Sequence, residues 1–267
     1  MKISADDIYK SVQKIRVANP LIHNITNYVV MNNTANALLA IGASPVMAHA
    51  QQEAEDMAAM AQALVINIGT LSSSWVEAMY RAFAAASEKG IPVIIDPVGV
   101  GATSYRTETV RGLLDAGRPA MIRGNASEIM ALADDELKTK GVDSASASDE
   151  ALYAAQIISE KNQCVVVVSG AVDYVVLGAV IAKVANGHPM MTRVTGLGCT
   201  ASALCGAFAA VENDIVSAAV QAMAVTGLAG ELAAAKAAGP ASLQMHFLDV
   251  LYNLTAADIR DNLKVEV

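Results

Sequence analysis

The chain has few cysteines and few charged residues, and each shortage argues against a class of protein. The three cysteines, Cys164, Cys199 and Cys205, form neither an even disulfide set nor a Cys-x-x-Cys pair. A secreted disulfide scaffold and a structural zinc site are therefore disfavoured. Charged residues make up 16% of the sequence, with 26 acidic and 18 basic side chains and a net charge of −8. No cluster of basic residues could follow a phosphate backbone, so nucleic acid is not expected as a partner.

Targeting and membrane-spanning segments are also missing from the sequence pattern. Residues 1–7 contain no apolar core and carry acidic side chains, which is unlike a secretory signal. The longest apolar stretch, residues 215–230, is interrupted by Ser217, Gln221 and Thr226. It falls short of the roughly 20 apolar residues that a membrane span needs. We therefore expect a cytoplasmic protein that does not insert into a membrane.

Hydrophobic residues, by contrast, are abundant and arranged as in an α/β protein. They form 54% of the 267 residues, which predicts a large core and covered subunit contacts. Short β-branched runs alternate with alanine-rich stretches, the pattern of βαβ units around a mainly parallel sheet. The predicted strands cover residues 63–68, 92–96, 121–123 and 164–169. The predicted helices cover residues 74–89, 127–138, 148–160, 200–213 and 216–236.

A late antiparallel pair of strands is predicted over residues 174–183 and 188–194. The dipeptide Asn186-Gly187 between them is typical of a tight hairpin turn. No linker or internal repeat interrupts the order of elements. The sequence therefore predicts a single α/β domain over residues 1–267.

A glycine-rich turn, Thr195-Gly196-Leu197-Gly198-Cys199, precedes a run of small apolar residues. Two glycines where a loop opens into a buried helix leave backbone N–H groups unpaired near the positive end of that helix. An anion such as a phosphate would bind there. The alternative is a tight turn before a core helix, because isolated Gly-x-Gly patterns are common.

Polar residues and glycines follow every predicted strand. Ligands in open parallel sheets bind beyond the carboxyl ends of the strands. One such residue alone usually serves only to form a turn. Here the series, taken with the glycine turn, carries two acids and an arginine, which favours a ligand site. The segments are NIGT (67–70), DPVGVGA (96–102), RGNASE (123–128) and Ser169-Gly170.

Six separated motifs stand out along the sequence. They are NPLIHNITNYVVMN (19–32), GASPVM (42–47), NIGTL (67–71), DPVGVGAT (96–103), RGNASE (123–128) and TGLGC (195–199). Together they resemble the hydroxyethylthiazole kinase family of the ribokinase-like superfamily, and the resemblance covers nearly the whole chain. It implies a three-layer fold with a mainly parallel central sheet flanked by helices. It also implies phosphorylation of the primary alcohol of 4-methyl-5-(2-hydroxyethyl)thiazole by ATP and Mg²⁺ in thiamine salvage.

By position, the resemblance implies that Met47 and Gly196 contact the thiazole and that Arg123 and Ser169 contact ATP. An arginine at a strand end can hold phosphate oxygens with its fixed guanidinium. The alternatives are a surface ion pair between Arg123 and Glu128, and a plain core role for Met47.

The same motifs supply further candidates for both pockets. Asn24 and Asn27 carry amides able to bind a heterocycle nitrogen or a hydroxyl group, although buried asparagines also satisfy loop backbone. Gly69 and Thr70 are assigned with them to the substrate site. Thr195, at the start of the glycine turn, is assigned to the ATP site.

Asp96 and Glu128 are the candidates for binding Mg²⁺. Magnesium prefers oxygen ligands and takes one or two carboxylates together with nucleotide phosphates. Asn125 and Glu128 fit the Asn-x-x-Glu element of ribokinase-like kinases, in which the acid acts on the metal largely through water. The alternative makes Glu128 a first-turn acid that interacts with a helix dipole.

Cys199 is where this sequence departs from the superfamily pattern Gly-x-Gly-Asp. Relatives use that aspartate to take the proton of the alcohol. A free thiol has a pKa near 8.5 and could replace it only if that pKa were lowered, which a helix N-terminus can do. We assign Cys199 and Gly198 to catalysis, with a compact buried spacer as the alternative role of the thiol.

Other readings within and outside the superfamily stay open at this point. A pyridoxal or hydroxymethylpyrimidine kinase would be expected to carry Asp at position 199. A nucleotide or thiazole sensor without activity would keep the pockets but need neither Asp96 nor Glu128. The apolar excess and the alanine-rich faces around residues 31–39 suggest large subunit contacts. The resemblance implies a homotrimer with sites near the interfaces.

Overall fold

The computed structural model describes residues 3–133 and 147–267, and its strands form one sheet. The hydrogen-bonded order is β2-β1-β3-β4-β5-β6-β7-β8-β9, a nine-stranded sheet. The strands are β1 (Leu21–Ile25), β2 (Ser44–Val46), β3 (Ala63–Asn67), β4 (Val93–Asp96), β5 (Met121–Asn125), β6 (Val165–Ser169), β7 (Asp173–Leu177), β8 (Val180–Val184) and β9 (Val265–Glu266).

Eleven α-helices and one short 3₁₀ helix, Pro189–Arg193, are found in the described parts of the chain. Several begin at a Ser, Thr or Asp cap, as at Thr103, whose hydroxyl accepts the Arg106 N–H. The α-helices are α1 (Ala5–Ala18), α2 (Met31–Ile41), α3 (Ala54–Met60), α4 (Ser73–Lys89), α5 (Ser104–Ala116), α6 (Ala126–Leu132), α7 (Ala147–Asn162), α8 (Leu197–Ala209), α9 (Ile215–Ala234), α10 (Pro240–Asn253) and α11 (Ala256–Asn262).

The sheet is parallel from β2 to β6 and antiparallel from β6 to β9. In the parallel part, register places Asn67 opposite Asp96 and Asn125 opposite Ser169. The polar residues that end the strands therefore share one edge of the sheet. This arrangement confirms the predicted mainly parallel α/β fold.

Helices cover both faces of the sheet and make three layers. One core lies between the sheet and α1, α2 and α8 to α11, and the other between the sheet and α3 to α7. Alternate strand residues serve the two cores, as Val65 and Ile66 do on β3. Helix α8 approaches so closely that a Cβ on Gly206 would lie 2.8 Å from Val65 Cγ2.

Within the described residues, α9 is the one helix long and apolar enough to cross a membrane. Length and composition alone set that test, and 78% of its most apolar window is buried inside the molecule. Such burial is typical of a core helix.

The predicted parallel strands and the predicted helices are all present, with shifts of a few residues at their ends. The end of the helix predicted over residues 127–138 lies outside the described residues. The predicted late antiparallel pair is wrong in its strands and in its turn. The hairpin is β7 and β8, joined at Gly178, whose φ of +54° is the left-handed value of a tight turn.

Asn186-Gly187 does not form a hairpin turn because Asn186 is used elsewhere. Its side chain donates to the Asn262 carbonyl at 2.8 Å and accepts the Lys264 N–H at 2.9 Å. The next residues form the 3₁₀ helix instead of a strand, and Pro189 at its start has no N–H to give to a sheet.

Candidate active site

The carboxylate of Asp96, at the end of β4, is buried beneath the edge of the sheet. The residue is 1% exposed, and Oδ2 accepts hydrogen bonds from Asn67 Nδ2 at 2.7 Å and Ser202 Oγ at 2.8 Å. Burial raises the pKa of Asp96 to about 6, while the charge of Arg123 acts to lower it. The group is therefore mainly ionised at pH 7 and becomes neutral below about pH 6.

Two asparagine amides connect this carboxylate to the cysteine of the glycine turn. Asn67 Oδ1 accepts from Asn27 Nδ2 at 2.8 Å and from the Gly69 N–H at 3.0 Å. Asn27 Nδ2 in turn lies 3.5 Å from Cys199 Sγ. The structure thus brings Asn27, Gly69, Asp96 and Cys199 into one buried hydrogen-bonded chain.

The thiol of Cys199 does not have the lowered pKa that a strong base would need. Burial and the nearby charge of Asp96 raise the pKa of Cys199 to about 11, although hydrogen bonds from Asn67 and Asn27 act to lower it. The group is a neutral thiol at physiological pH. Its place at the start of α8 does not overcome the desolvation of a thiolate there.

The N-terminus of α8 presents free backbone donors, as the glycine turn predicts. Gly196 has φ +85°, and a Cβ there would lie 2.7 Å from Val30 Cγ1, so only glycine fits. The first N–H with a helical partner is that of Thr200, which donates to the Gly196 carbonyl at 2.8 Å. The N–H groups of residues 197–199 precede it and have no partner within the helix.

The guanidinium of Arg123 lies beside this helix start, at the wall of a cavity of about 620 Å³. Arg123, Ser169 and Gly198 all line the cavity, and a Cβ on Gly198 would lie 3.0 Å from Arg123 Nη1. The buried Nε of Arg123 has no hydrogen-bond partner among the residues that the structure describes. Among the described residues no ion pair joins Arg123 to Glu128, so the alternative role of Arg123 is not found. An unpaired guanidinium beside free amides is suited to bind an anion.

Glu128 makes the contacts of a helix start. Its Oε1 accepts the Gly99 N–H at 2.9 Å, and its Oε2 accepts the Asn125 N–H at 2.8 Å in a capping box. Asp96, by contrast, keeps Oδ1 free of hydrogen bonds from the described residues. No group of three or more potential metal ligands occurs in the described parts of the chain. One free carboxylate oxygen and a second acid nearby fit Mg²⁺, which completes its shell with water and phosphate.

The predicted thiazole contacts lie on the loops around β1, β2 and β3. Gly69 packs against Asn27, since a Cβ there would lie 2.6 Å from Asn27 Nδ2. Thr70 Oγ1 accepts the Tyr28 N–H at 3.1 Å. Met47 is half-buried, and its carbonyl lies 3.3 Å from Nδ1 of His49. An aromatic cluster of Tyr28, His49 and Trp75 borders these loops, with ring centroids 4.3 to 6.3 Å apart.

Two predicted site residues lie apart from these groups. Asn24 is fully buried, donates to the carbonyl of Ile22 at 2.8 Å, and leaves its own Oδ1 without a partner. Thr195 is exposed and borders a crevice of about 10 Å³ between α2, α8 and α10, not the large cavity.

Three polar residues that organise the site received no role from the sequence. Asn67 belongs to one of the strand-end segments that favour a ligand site, but its hydrogen-bond partners could not be inferred. Ser202 lies one helical turn after Cys199 and so faces the same edge. Arg106 donates to backbone carbonyls of the loops after β3 and β4, and backbone carbonyls leave no pattern in a sequence.

Comparisons with known proteins agree with the resemblance. A model of the hydroxyethylthiazole kinase family matches residues 12–257. A hydroxyethylthiazole kinase of Syntrophus aciditrophicus is 57% identical over 266 residues, which cover 99% of this chain and 98% of the relative. One from Leptospira biflexa is 52% identical, with 96% of each chain covered.

Solved structures give the same answer for the fold. The structure of a hydroxyethylthiazole kinase protein from Pyrococcus horikoshii has a TM-score of 0.90 at 42% identity, covering 98% of each chain. A ribokinase-like superfamily protein from Enterococcus faecalis has a TM-score of 0.69 at 12% identity, covering 97% of this chain and 96% of its own. The second likeness concerns the fold alone.

The raised pKa of Cys199 predicts an unusual pH profile of thiol alkylation. Labelling by iodoacetamide should rise about tenfold per pH unit from pH 7 through pH 10, because only the thiolate reacts. An ordinary thiol with a pKa near 8.5 would level off above about pH 9. Peptide mapping separates Cys199 from Cys164 and Cys205. These two cysteines are buried, so their labelling would report unfolding of the protein at high pH. A plateau of Cys199 labelling below pH 9 would contradict the assignment.

Proposed function

The chain belongs to the hydroxyethylthiazole kinase family, and on that premise we propose how its residues share the reaction. The enzyme phosphorylates the primary alcohol of 4-methyl-5-(2-hydroxyethyl)thiazole in thiamine salvage, with ATP as co-substrate. The products are the thiazole phosphate and ADP. Membership of this family favours an enzyme over a sensor without activity.

We infer that the cavity of about 620 Å³ binds ATP. The observation that carries this assignment is the guanidinium of Arg123, whose Nη1 lies beside Gly198 at the start of α8 and whose buried Nε has no partner among the described residues. Phosphates placed between them would receive a fixed positive charge and aligned backbone dipoles. Ser169 lines the same cavity and would contact the nucleotide. Thr195 is kept as an ATP contact because it begins the glycine turn, although it does not line this cavity.

The thiazole is assigned to the loops beside this anion site. Asn27, Gly69 and Thr70 lie together there. Gly196, which precedes α8, packs against Val30 of the same loop as Asn27. Met47 would supply an adaptable apolar wall for the ring. Asn24 is also retained as a candidate, because its buried Oδ1 lacks a partner.

Asp96 and Glu128 would hold Mg²⁺, Asp96 through its free Oδ1 and Glu128 through water, since both its oxygens accept backbone N–H groups. Bound there, the metal would offset negative charge on the phosphates. Arg123 and the amides of α8 add to that effect from the other side.

Cys199 would act at most as a weak base toward the alcohol. Phosphoryl transfer passes through a loose transition state that needs little activation of the nucleophile. Positioning and charge neutralisation therefore carry most of the catalysis, and a neutral thiol is sufficient at this position.

We expect the free backbone N–H groups at the start of α8 to contribute more to catalysis than the thiol of Cys199. Cys199→Ala should lose less than about 100-fold in kcat/KM, below the range for deletion of a strong base, and Cys199→Asp should stay active. Gly198→Val should lose more, about 10²–10³-fold, because its side chain displaces the guanidinium of Arg123.

The control for this series is Gly239→Val, since a Cβ on Gly239 would meet nothing within 4 Å. Circular dichroism establishes that each variant is folded. A folded Gly198→Val that turns over faster than Cys199→Ala would show that the thiol dominates catalysis.

Substrate choice is tested with a panel of alcohols. The thiazole alcohol, hydroxymethylpyrimidine and pyridoxal are each incubated with Mg²⁺ and ATP, and the phosphorylated products are identified by mass. We expect efficient turnover of the thiazole alone. Comparable turnover of the pyrimidine would refute the proposed substrate specificity.

We also infer that the chain is one kinase domain that works in the cytoplasm as a homotrimer, with its sites near the subunit contacts. The exposed apolar side chains Tyr28 and Val29 support such contacts, because they lie beside Asn27 and are 65% and 60% exposed.

Light scattering at assay concentration should give about three times the 27.6 kDa mass of the chain. Full activity in a species of monomeric mass would show that the subunit interface is not needed for catalysis.

A further inference from the structure

The guanidinium of Arg106, in the first turn of α5, contacts two strand-end loops at once. Nη1 donates to the carbonyl of Ile68 at 2.9 Å and to the carbonyl of Val98 at 2.5 Å. Nη2 donates to the carbonyl of Gly69 at 2.7 Å. The first and third of these residues follow β3 and the second follows β4. One half-buried side chain therefore joins the loops of two neighbouring strands.

Planarity of the peptide bond transmits each of these contacts to the opposite side of the loop. In a trans peptide the C=O group and the following N–H point in opposite directions. The carbonyl of Val98 is held by Arg106, so the N–H of Gly99 points away from Arg106. That N–H donates to Glu128 Oε1 at 2.9 Å. Glu128 also accepts the Asn125 N–H through Oε2 at 2.8 Å, so its position does not rest on this loop alone.

The same relation holds on the loop after β3. The carbonyl of Ile68 is held by Arg106, and the following N–H, that of Gly69, donates to Asn67 Oδ1 at 3.0 Å. The carbonyl of Gly69 is also held, so the N–H of Thr70 must point away from Arg106 as well.

The Thr70 N–H differs from the other two because no described residue accepts its hydrogen bond. The hydroxyl of Thr70 is occupied as an acceptor for the Tyr28 N–H at 3.1 Å. The loop therefore offers one fixed, unpaired backbone donor beside Asn27. Such a donor suits an acceptor atom of a small ligand, such as the nitrogen of a thiazole ring or the oxygen of an alcohol.

We propose that Arg106 is a positioning residue for the thiazole alcohol, which it serves without touching it by aiming the Thr70 N–H at an acceptor atom of the substrate. This inference rests on the proposed placement of the thiazole beside Gly69 and Thr70. Arginine suits the task because its planar fork reaches three carbonyls, whereas the ammonium of a lysine is a single compact donor group.

Steady-state kinetics of Arg106→Met and Arg106→Lys test the proposal. We expect Arg106→Met to raise KM for the thiazole alcohol about tenfold, the loss of one hydrogen bond, while KM for ATP changes less than about twofold. Arg106→Lys should give an intermediate KM for the thiazole. The matched control is Arg81→Met, because Arg81 is exposed and its one ion pair with a described residue is to Glu77, at 2.9 Å. Thermal unfolding is measured for every variant.

A second readout separates positioning from general support of the fold. Free guanidinium at a non-denaturing concentration should lower the raised KM for the thiazole in Arg106→Ala and leave Arg81→Ala unchanged. An unchanged KM for the thiazole in Arg106→Met would overturn the proposal. Equal increases in both KM values would also overturn it, because they would indicate a structural role alone. If Arg106→Met does not fold, Arg106→Lys decides by the same criterion.

The placement of the substrate is checked in parallel with Met47→Ala. If Met47→Ala raises KM for the thiazole and Arg106→Met does not, the positioning role is overturned and the site stands. If neither variant raises it, the placement of the thiazole and the positioning role are both overturned.

Discussion

The buried carboxylate of Asp96 is the constraint on which the rest of the site depends. An ionised carboxylate in a protein interior is costly unless hydrogen bonds and charges compensate it. Asn67 and Ser202 donate to it, and the charge of Arg123 lowers its pKa. These three partners come from β3, α8 and β5, so the charge of the buried carboxylate is compensated only when those elements are packed together.

The carboxylate also sets the direction of the hydrogen-bonded chain beside it. Because the amide nitrogen of Asn67 must donate to Asp96, its oxygen must face Asn27 and Gly69. Asn27 is then obliged to present its own amide nitrogen, which donates toward Cys199 Sγ. The orientation of two amides, and the donor that position 199 receives, thus follow from one buried charge.

Much of this architecture could be predicted from the sequence, but only where local pattern and tertiary role agree. The strands β3, β4 and β6 are apolar runs rich in β-branched residues and are almost fully buried, and Gly196 has a backbone angle that only glycine adopts easily. The polar strand β1, with the sequence LIHNI, gave no such signal. Asn186-Gly187 gave a false signal for a hairpin turn, because the side chain of Asn186 makes hydrogen bonds to residues distant in sequence instead.

The residues of the candidate site also differ in whether a sequence pattern reveals them. Asp96, Arg123 and Gly198 follow from strand ends and helix starts, which sequence reveals, whereas the role of Arg106 depends on backbone carbonyls that any residue supplies. Thr195 belongs to the glycine turn that the sequence reveals, yet it does not line the cavity beside Arg123.

The cysteine at position 199 is consistent with the same electrostatic constraint. A carboxylate there would stand near buried Asp96, and like charges in a medium of low polarity repel, so an aspartate at position 199 is tolerated with a raised pKa of one of the two carboxyl groups. The thiol instead remains neutral, because burial and the charge of Asp96 raise its pKa to about 11. A neutral group therefore preserves the ionised form of Asp96 that a metal would need. Very little thiolate is then available to act as a base, and a loose phosphoryl-transfer transition state tolerates that loss.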